Sequence, residues 1–431
     1  MEQVKEGDAV VLRFQDEPLN IMFAIGDTDQ RVGKSRIATK SLIGFNYNSL
    51  FQVNDRNLEL INDQEIDLDN LLGEMDKTDN LSTLKKGDNR LYVDTNTAQK
   101  LQKEDIQSMK SSGVSGSEII KNLIVNSDTW SSKTEFSQEK WLKRKQKKYM
   151  RTARVVKAAP ISICDVLRAK NHEKVCGIRW DVLSQLLNQS GIYSGCKVLV
   201  FESMSGLIVG SVAYRLRGNG SIIAAYSGQQ PHYQLLSSFN LDESSLNVIQ
   251  PVPSNELGPA VDSFKNISVR NSAVGLEFSA KKDHAGDFNN SASIEIINHD
   301  TNSNIDQLIE NNKVEKIYNS TGRNLFQLER SRLLLRDGVN RLIIASKFHP
   351  LPILKETIML LTPSSPFVVY CEFVEPLVEC YIYLQQFSLA IKLNIYDTWT
   401  REFQTLPGRV HPSMFMSNSG GFLLSGIRII S

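Results

Sequence analysis

The segment from Lys197 to Tyr226 constrains the fold of this chain most strongly. It contains a short apolar run, Lys197-Val198-Leu199-Val200-Phe201, a turn at Ser205-Gly206, a helical stretch from Leu207 to Arg217 and a second apolar run from Ser221 to Tyr226. Short apolar runs joined by a helix within about thirty residues are typical of a βαβ unit, whose parallel strands are buried on both faces. The segment therefore predicts the start of a parallel sheet.

The same alternation returns in the last third of the chain, and a helix with apolar Trp180, Leu183, Leu186 and Leu187 precedes the βαβ unit. Strands are predicted at Arg341–Ala345, Pro366–Tyr370, Leu389–Leu393 and Phe422–Ile430, and helices at Ile353–Leu361 and Leu377–Gln386. Strands that alternate with helices predict an α/β doubly wound, mostly parallel sheet. The stretch 237–324 is rich in Asn, Ser and Asp with few apolar residues, so we predict a largely disordered insertion there.

The N-terminal part has a different pattern, with short apolar runs separated by polar breaks. These runs include Val10–Phe14, Ile21–Ile25 and the pair Phe51 and Val53, and their spacing predicts a small β-barrel or a curled sheet. Helices are predicted over Ala98–Lys110 and after a capping box at Ser115–Glu118, and a strand-like pattern over Val155–Val166. We therefore expect two domains, an α+β barrel-like domain at 1–172 and the α/β domain at 173–431.

Between these parts lies a strongly basic segment, Ser137–Arg154. Six of its cations recur at the spacing of one helix face: Lys140, Lys143, Arg144, Lys147, Lys148 and Arg151. Ser137 is a plausible N-cap, and Trp141, Leu142, Tyr149 and Met150 supply a second face that can be buried. Because stacked like charges repel one another, a nucleic-acid backbone is one interpretation of this pattern. A solvated helix face and a nuclear-localisation signal at 143–148 are the alternatives.

The overall composition narrows the class of protein. The chain has 431 residues and a formal net charge of +1, so the basic segment is local, and nine acids among two bases at 55–79 balance it. The five cysteines are scattered without a C-x-x-C pair, and the histidines lack metal-site spacing, so neither a disulfide framework nor a zinc site is expected. No signal peptide and no run of eighteen apolar residues is visible, so we expect a soluble intracellular protein.

The turn after the first buried strand is the place where such a sheet binds a cofactor. A methyltransferase-like site needs E/D-x-G-x-G-x-G, because glycines let the backbone approach the ligand. This chain has Glu202 and Gly206, but Met204 and Ile208 occupy the other glycine positions, where we expect their side chains to fill the cleft. The second strand ends at Tyr226-Ser227 without an acid for ribose hydroxyls, and the loop after Ala345 lacks a catalytic motif. The sequence therefore favours a scaffold without catalytic or cofactor-binding residues.

Several motifs together resemble the Gcd10-type non-catalytic subunits of the tRNA adenine-58 N1-methyltransferases. They include Lys133–Lys140 with the basic helix, Asp88-Asn89-Arg90 and Gln99-Lys100-Leu101. In the C-terminal part they are Pro366–Cys371, Glu375–Cys380, Thr398-Trp399, Leu406–Arg409, His411-Pro412 and Ser419–Gly421. The resemblance covers most of the chain outside 237–324. It implies a methyltransferase-like Rossmann domain after the barrel-like domain.

The resemblance also implies a set of partners and a place of action. The catalytic subunit binds S-adenosylmethionine and methylates N1 of adenine 58, while this chain binds tRNA, carries no cofactor and forms a nuclear heterotetramer with two copies of each subunit. No membrane is implied. Two alternatives are a protein-interaction module with an import signal and an atypical active RNA methyltransferase. The residues expected to contact RNA are Arg90, Lys100, Lys140, Lys143, Arg144, Lys145, Lys147, Lys148, Arg151, Arg179, Arg401 and Arg409.

Overall fold

The computed structural model describes residues 2–14, 20–26, 29–32, 35–54, 57–61, 99–130, 133–258, 330–406, 409–414 and 419–430. The chain divides into two compact units: unit 1 is Met1–Val175 with Leu235–Asn240, and unit 2 is Cys176–Gln234 with Leu241–Ser431. The division after Val175 lies three residues beyond the boundary expected from the sequence. Arg90 lies outside the described residues.

Unit 1 contains an antiparallel sheet of five strands and a separate two-stranded hairpin. The strands are β1 (Ala9–Phe14), β2 (Asn20–Ala24), β3 (Asp29–Val32), β4 (Ser35–Ala38), β5 (Leu50–Asn54), β6 (Asn57–Ile61) and β7 (Thr152–Lys157). The sheet order is β2-β1-β7-β5-β6, and β3 pairs with β4. Val10, Leu12 and Phe14 alternate along β1 and face a core that also holds Phe51 and Val155. Among the described residues β2 and β6 are the sheet edges and no ladder joins them, so closure into a barrel is not observed.

Four helices of unit 1 follow the sequence pattern, with one correction at α4. They are α1 (Lys103–Ser111), α2 (Gly116–Val125), α3 (Glu135–Tyr149) and α4 (Pro160–Lys170). The predicted cap of α2 is confirmed, since the Ser115 hydroxyl accepts a hydrogen bond from Glu118 N at 3.2 Å. The prediction of a strand over Val155–Val166 is wrong beyond Lys157, where β7 ends. Pro160 occupies the first turn of α4, where its missing N–H has no cost, and a helix begins there.

Unit 2 contains a seven-stranded mixed sheet. Its strands are β8 (Lys197–Glu202), β9 (Ser221–Tyr226), β10 (Ile249–Pro253), β11 (Arg341–Ala345), β12 (Pro366–Cys371), β13 (Ala390–Asp397) and β16 (Phe422–Arg428), and a separate hairpin is formed by β14 (Phe403–Leu406) and β15 (Arg409–Pro412). The order is β10-β9-β8-β11-β12-β16-β13, with the first five strands parallel and β16 antiparallel to both neighbours. The order reverses at β8, so its carboxyl end is the topological switch point of the sheet.

The helices of unit 2 are α5 (Trp180–Gln189), α6 (Leu207–Leu216), α7 (Glu243–Asn247), α8 (Pro350–Thr357) and α9 (Glu375–Gln386), and residues 330–336 are also helical. The predicted α/β doubly wound sheet is confirmed. The predicted disordered insertion is wrong at 237–258, where α7 and the sheet strand β10 form. The remainder of that prediction, 259–324, lies outside the described residues.

Two general features of the chain bear on function. No helix in the described part of the chain is long and apolar enough to cross a membrane. Within the same residues, no group of three or more His, Cys, Asp and Glu side chains is arranged to hold a metal ion.

Candidate nucleic-acid interface and cofactor turn

Helix α3 is fixed at its N-terminus by Thr134. Its hydroxyl accepts a hydrogen bond from Ser137 N at 3.3 Å, so Thr134 is the N-cap and the prediction that Ser137 caps the helix is wrong. Successive residues of a helix are rotated by about 100°. This rotation places Leu142 and Tyr149 on one side, where they pack in a cluster with Ile120 and Leu123 of α2. The prediction of a second, buried face on this segment is therefore confirmed.

The opposite side of α3 carries an unbroken set of exposed cations, which we call the cationic face: Lys140, Lys143, Arg144, Lys147 and Lys148. None of the five forms an ion pair with an acid in the described part of the chain. The acids of the helix are Glu135 at its first position and the half-buried Glu139. The cationic face therefore has no acidic partner among the described residues of this chain.

The energetic balance of α3 explains how this face persists. Its members form five like-charged neighbours at i,i+3 or i,i+4, which together destabilise the helix by about 1–2.5 kcal/mol. Each fully buried apolar side chain contributes about 1.5–3 kcal/mol, and Leu142 is completely buried while Tyr149 and Met150 are nearly so. The buried side of the helix therefore outweighs the repulsion, and the cations remain available to a ligand.

Two cations that the sequence analysis assigned to RNA contact lie outside this face. Lys145 is on the buried side, with its Nζ 5.2 Å from the ring centroid of Trp141 and 5.8 Å from that of Tyr149. Desolvation by burial lowers the pKa of this amine. Arg151 lies beyond the end of α3, and its guanidinium carbon is 4.5 Å from the ring centroid of Phe14. The six-residue stripe predicted from the sequence therefore ends at Lys148.

The remaining predicted contacts are scattered over the molecule. Lys100 is exposed and forms an ion pair with Asp128 at 2.7 Å. Arg179 is only 4% exposed, and its guanidinium donates to Asp181 at 2.5 and 2.8 Å and to Thr398 O at 2.9 Å, which is the geometry of a structural ion pair. Arg401 is half-buried and donates to Ser413 O at 3.3 Å, and Arg409 begins β15. The cationic face is the only predicted set that clusters on one element of the described chain, so the proposed interface is built on it, and the other contacts stay predictions.

The turn between β8 and α6 lies at the topological switch point of the sheet, where α/β sheets bind their ligands. Ser205 and Gly206 have left-handed φ values of 58° and 93°, and Gly206 is the N-cap of α6. The Glu202 carboxylate accepts hydrogen bonds from Ile208 N at 3.0 Å and Val209 N at 3.3 Å. Burial raises the pKa of Glu202 to about 7, against the opposing effect of these hydrogen bonds. Glu202, the one acid of the motif, therefore stabilises the first turn of α6.

The space above this glycine is occupied by Tyr233. A Cβ at Gly206 would lie 3.1 Å from the Cα of Tyr233, and the Tyr233 hydroxyl donates to Ala224 O at 2.9 Å. Met204 and Ile208 are fully buried, but neither lines the cavity beside the turn. The expectation that their side chains fill the cleft is thus corrected. They pack into the core, and Tyr233 covers the glycine.

A cavity of about 250 Å³ remains at the carboxyl ends of β8, β9 and β11. The turn after β8 and the end of β9 line it with Glu202, Ser203, Ser205, Tyr226 and Ser227, and two loops add His232, Tyr233, Lys347 and Phe348. As expected, no acid is present at the end of β9, so ribose hydroxyls would lack their usual carboxylate partner there. The roles of Tyr233, Tyr226 and Phe348 were not foreseen, because only the folded loops bring them to the turn.

A family model describes the N-terminal and middle parts of this chain. The model of the Gcd10p family matches residues 3–270. This range contains α3, the cofactor turn and strands β1–β10, so the match includes both regions described above.

Two curated relatives are similar over most of their length. A tRNA (adenine(58)-N(1))-methyltransferase non-catalytic subunit of Dictyostelium discoideum is 34% identical over 433 residues, which cover 99% of this chain and 79% of the relative. The subunit of the same name from Mus musculus is 34% identical over 369 residues, covering 80% of this chain and 74% of the relative.

Among solved structures, a SAM-dependent O-methyltransferase from Thermotoga maritima is similar with a TM-score of 0.47 and 10% identity, covering 100% of this chain and 96% of that protein. The strand order of unit 2, and not this similarity, carries the fold assignment.

Proposed function

The chain belongs to the Gcd10p family, and from this premise we propose that it is the tRNA-binding and scaffolding subunit of a tRNA adenine-58 N1-methyltransferase, without catalytic activity of its own. The observation that carries the tRNA-binding role is the cationic face of α3. Five exposed cations on one helix side suit a polyanion that is recognised through its backbone and shape. The names of the relatives, which are non-catalytic subunits, support the absence of catalysis.

A catalytic partner supplies the methyl-transfer chemistry in this proposal. That subunit binds S-adenosylmethionine, and two copies of each chain form the complex. The covered Gly206, the carboxylate of Glu202 that is engaged by α6, and the lack of an acid after β9 support the view that this chain holds no cofactor. Unit 2 then serves as a scaffold that retains the sheet of a methyltransferase.

Two further elements belong to the same proposal. The complex acts in the nucleus, and the basic run at 143–148 is compatible with an import signal as well as with RNA binding. The five-stranded antiparallel sheet of unit 1 forms part of a barrel-like domain that presents α3 to the tRNA.

Charge reversal on α3 tests the tRNA-binding role. In the complex with the catalytic partner, changing Lys143, Arg144, Lys147 and Lys148 to Glu should weaken tRNA binding at least about tenfold at physiological salt, since each position turns attraction into repulsion. Binding is measured by fluorescence anisotropy with labelled tRNA.

The chain offers a matched control with the same spacing and charge change. Lys143→Glu/Lys147→Glu should weaken binding strongly, whereas Lys170→Glu/Lys174→Glu alters two exposed lysines of the same unit and should have little effect. In the milder alanine version, the slope of log K against log salt should become shallower by about one for each phosphate that is no longer neutralised. Unchanged affinity and slope in all α3 variants would leave a solvated helix face or an import signal as the interpretation of this helix.

A further inference from the structure

The cavity at the switch point of unit 2 has a fixed frame. Ser203 Oγ accepts a hydrogen bond from Lys347 N at 2.7 Å, which joins the loop after β11 to the turn after β8. The Tyr233 hydroxyl donates to Ala224 O, so the loop after β9 is held as well. Three loops that could have been independent are thus tied to the strand ends. A pocket with such a frame is largely formed before a ligand enters.

Aromatic rings lie on both sides of the end of β8. Tyr226 ends β9 and is half-buried, while Phe348 follows β11 and is 42% exposed, and β9 and β11 are the two neighbours of β8 in the sheet. Aromatic faces that line a small polar cavity suit a planar heterocycle, which gains from stacking.

The charges around the cavity favour an anion over a cation. Lys347 is exposed and its Nζ lies 5.4 Å from the ring centroid of Phe348, and the hydroxyls of Ser205 and Ser227 add hydrogen-bond donors. Glu202 is the one acid that lines the cavity. Its two carboxylate oxygens accept hydrogen bonds from Ile208 N and Val209 N, so both are engaged by the first turn of α6. The Lys347 ammonium would repel a sulfonium cofactor and attract an anion.

We propose that this cavity binds a phosphorylated nucleoside, with the base between Tyr226 and Phe348 and the phosphate near Lys347. The volume of about 250 Å³ lies below the range of about 300–1,000 Å³ of most small-molecule sites, so it holds one base and leaves the sugar and phosphate at the mouth. The same chemistry is offered by a free nucleotide and by an unstacked nucleotide of RNA. An unstacked RNA nucleotide as the ligand rests on the tRNA-binding function proposed above, whereas a free nucleotide does not depend on that function.

Calorimetry on the full chain tests the site with adenosine 5′-monophosphate as the probe. We expect saturable binding that exceeds the binding of adenosine, inorganic phosphate and S-adenosylmethionine each by at least about fivefold. Phe348→Ala and Lys347→Ala should each weaken binding about tenfold. Lys355→Ala is the matched control, because Lys355 is also exposed and its Nζ lies 5.0 Å from the ring centroid of Tyr383 in the same unit.

Two additions keep the result interpretable. Phe348→Leu retains apolar area but removes the ring, and should weaken binding like Phe348→Ala without lowering the melting temperature. Displacement of the nucleotide by a short single-stranded oligonucleotide supports the RNA source, and retention supports the free nucleotide. The charge-reversed α3 variant should still bind the nucleotide, which separates this proposal from the tRNA-binding function. Tighter binding of S-adenosylmethionine than of the nucleotide, no saturation by about 10 mM, or an equal effect of Lys355→Ala would overturn it.

Discussion

Helices α3 and α6 differ in how much of their surface is buried. Helix α3 buries one side against α2 and exposes the cationic face on the other. Helix α6 is buried along most of its length, including Leu207, Ile208, Val209, Val212 and Ala213. A helix buried on one side can vary its exposed side without loss of packing, whereas a helix packed on most sides has only its terminal turn free for chemistry.

This difference explains why packing constrains the residues at α6 and leaves the exposed residues of α3 free to serve another role. At α6, the strand-turn-helix geometry persists, because the left-handed Gly206 and the cap by Glu202 hold the fold. Met204 and Ile208, at the positions where a cofactor motif has glycine, are buried side chains that contribute to the core. At α3 the outward residues contribute little to packing, and their like charges even oppose the helix. Such a face destabilises the isolated chain, and binding to tRNA, as proposed above, would offset this cost.

The largest expected effect lies at the turn of α6. Ile208→Ala should lower the free energy of unfolding of unit 2 by about 2–5 kcal/mol, because Ile208 is fully buried and truncation leaves a cavity. Denaturant unfolding followed by tryptophan fluorescence measures the loss. Tyr233 still covers Gly206 in this variant, so S-adenosylmethionine binding should not appear.

The control makes the same chemical change at an exposed site. Ile382 of α9 is 46% exposed, and Ile382→Ala should cost well under about 1 kcal/mol. Equal losses for the two variants would mean that the residue after the turn is not part of the core, and the contrast between α6 and α3 would fail.

The next effect depends on pH. The pKa of Glu202 is raised from 4.5 to about 7 in the folded chain, so the folded state binds the proton more tightly than the unfolded state. Stability should therefore fall as pH rises from about 4.5 to about 7, by up to about 3 kcal/mol. Glu202→Gln cannot ionise and should lack this fall, which is followed by melting temperature at pH 5, 6, 7 and 8.

The exposed Glu372 of the same unit supplies the comparison, since Glu372→Gln should keep the wild-type pH profile. A wild-type profile that is flat between pH 5 and 7, or a Glu202→Gln profile parallel to it, would show that the carboxylate is ionised in the fold throughout. Glu202 would then carry a full negative charge, which would oppose the binding of an anionic nucleotide at the proposed site.

Most strands and helices of unit 2 could be predicted, because the sequence patterns that indicate them are local. The apolar run at 197–201 predicted β8 and the run at 221–226 predicted β9, each to within one residue of its observed bounds. A parallel strand that is buried on both faces has a continuous run of apolar residues, and Gly or Ser marks its end. Strand β10 was missed, because its five residues contain two prolines and lie in a polar stretch. It forms only because its backbone pairs with β9, a contact that local composition does not encode.

The candidate site was predictable to a lesser degree. Periodicity identified the two sides of α3, but it extended the cation stripe to Arg151, which lies beyond the end of the helix and beside Phe14. The resemblance added Lys145 to the expected RNA contacts, and charge in a sequence does not reveal that its stem folds over the ring of Trp141. The loss of glycines at 204 and 208 was visible, yet the residue that covers Gly206 was not. Tyr233 reaches the turn through the loop after β9, and tertiary packing alone brings it there.

The smallest expected effect has the opposite sign to that of Ile208→Ala and lies on α3. Lys140→Ala/Arg144→Ala removes four of the five like-charged neighbours, leaves the last helical turn unchanged and introduces the best helix former. We therefore expect the free energy of unfolding of unit 1 to rise by about 0.5–1 kcal/mol at low salt, and by less at high salt as screening removes the repulsion. The same variant should bind tRNA more weakly, so stability and affinity move in opposite directions. A loss of stability above about 1 kcal/mol would instead show that the side-chain stems of these cations hold the helix in place, and the cationic face would then be part of the fold.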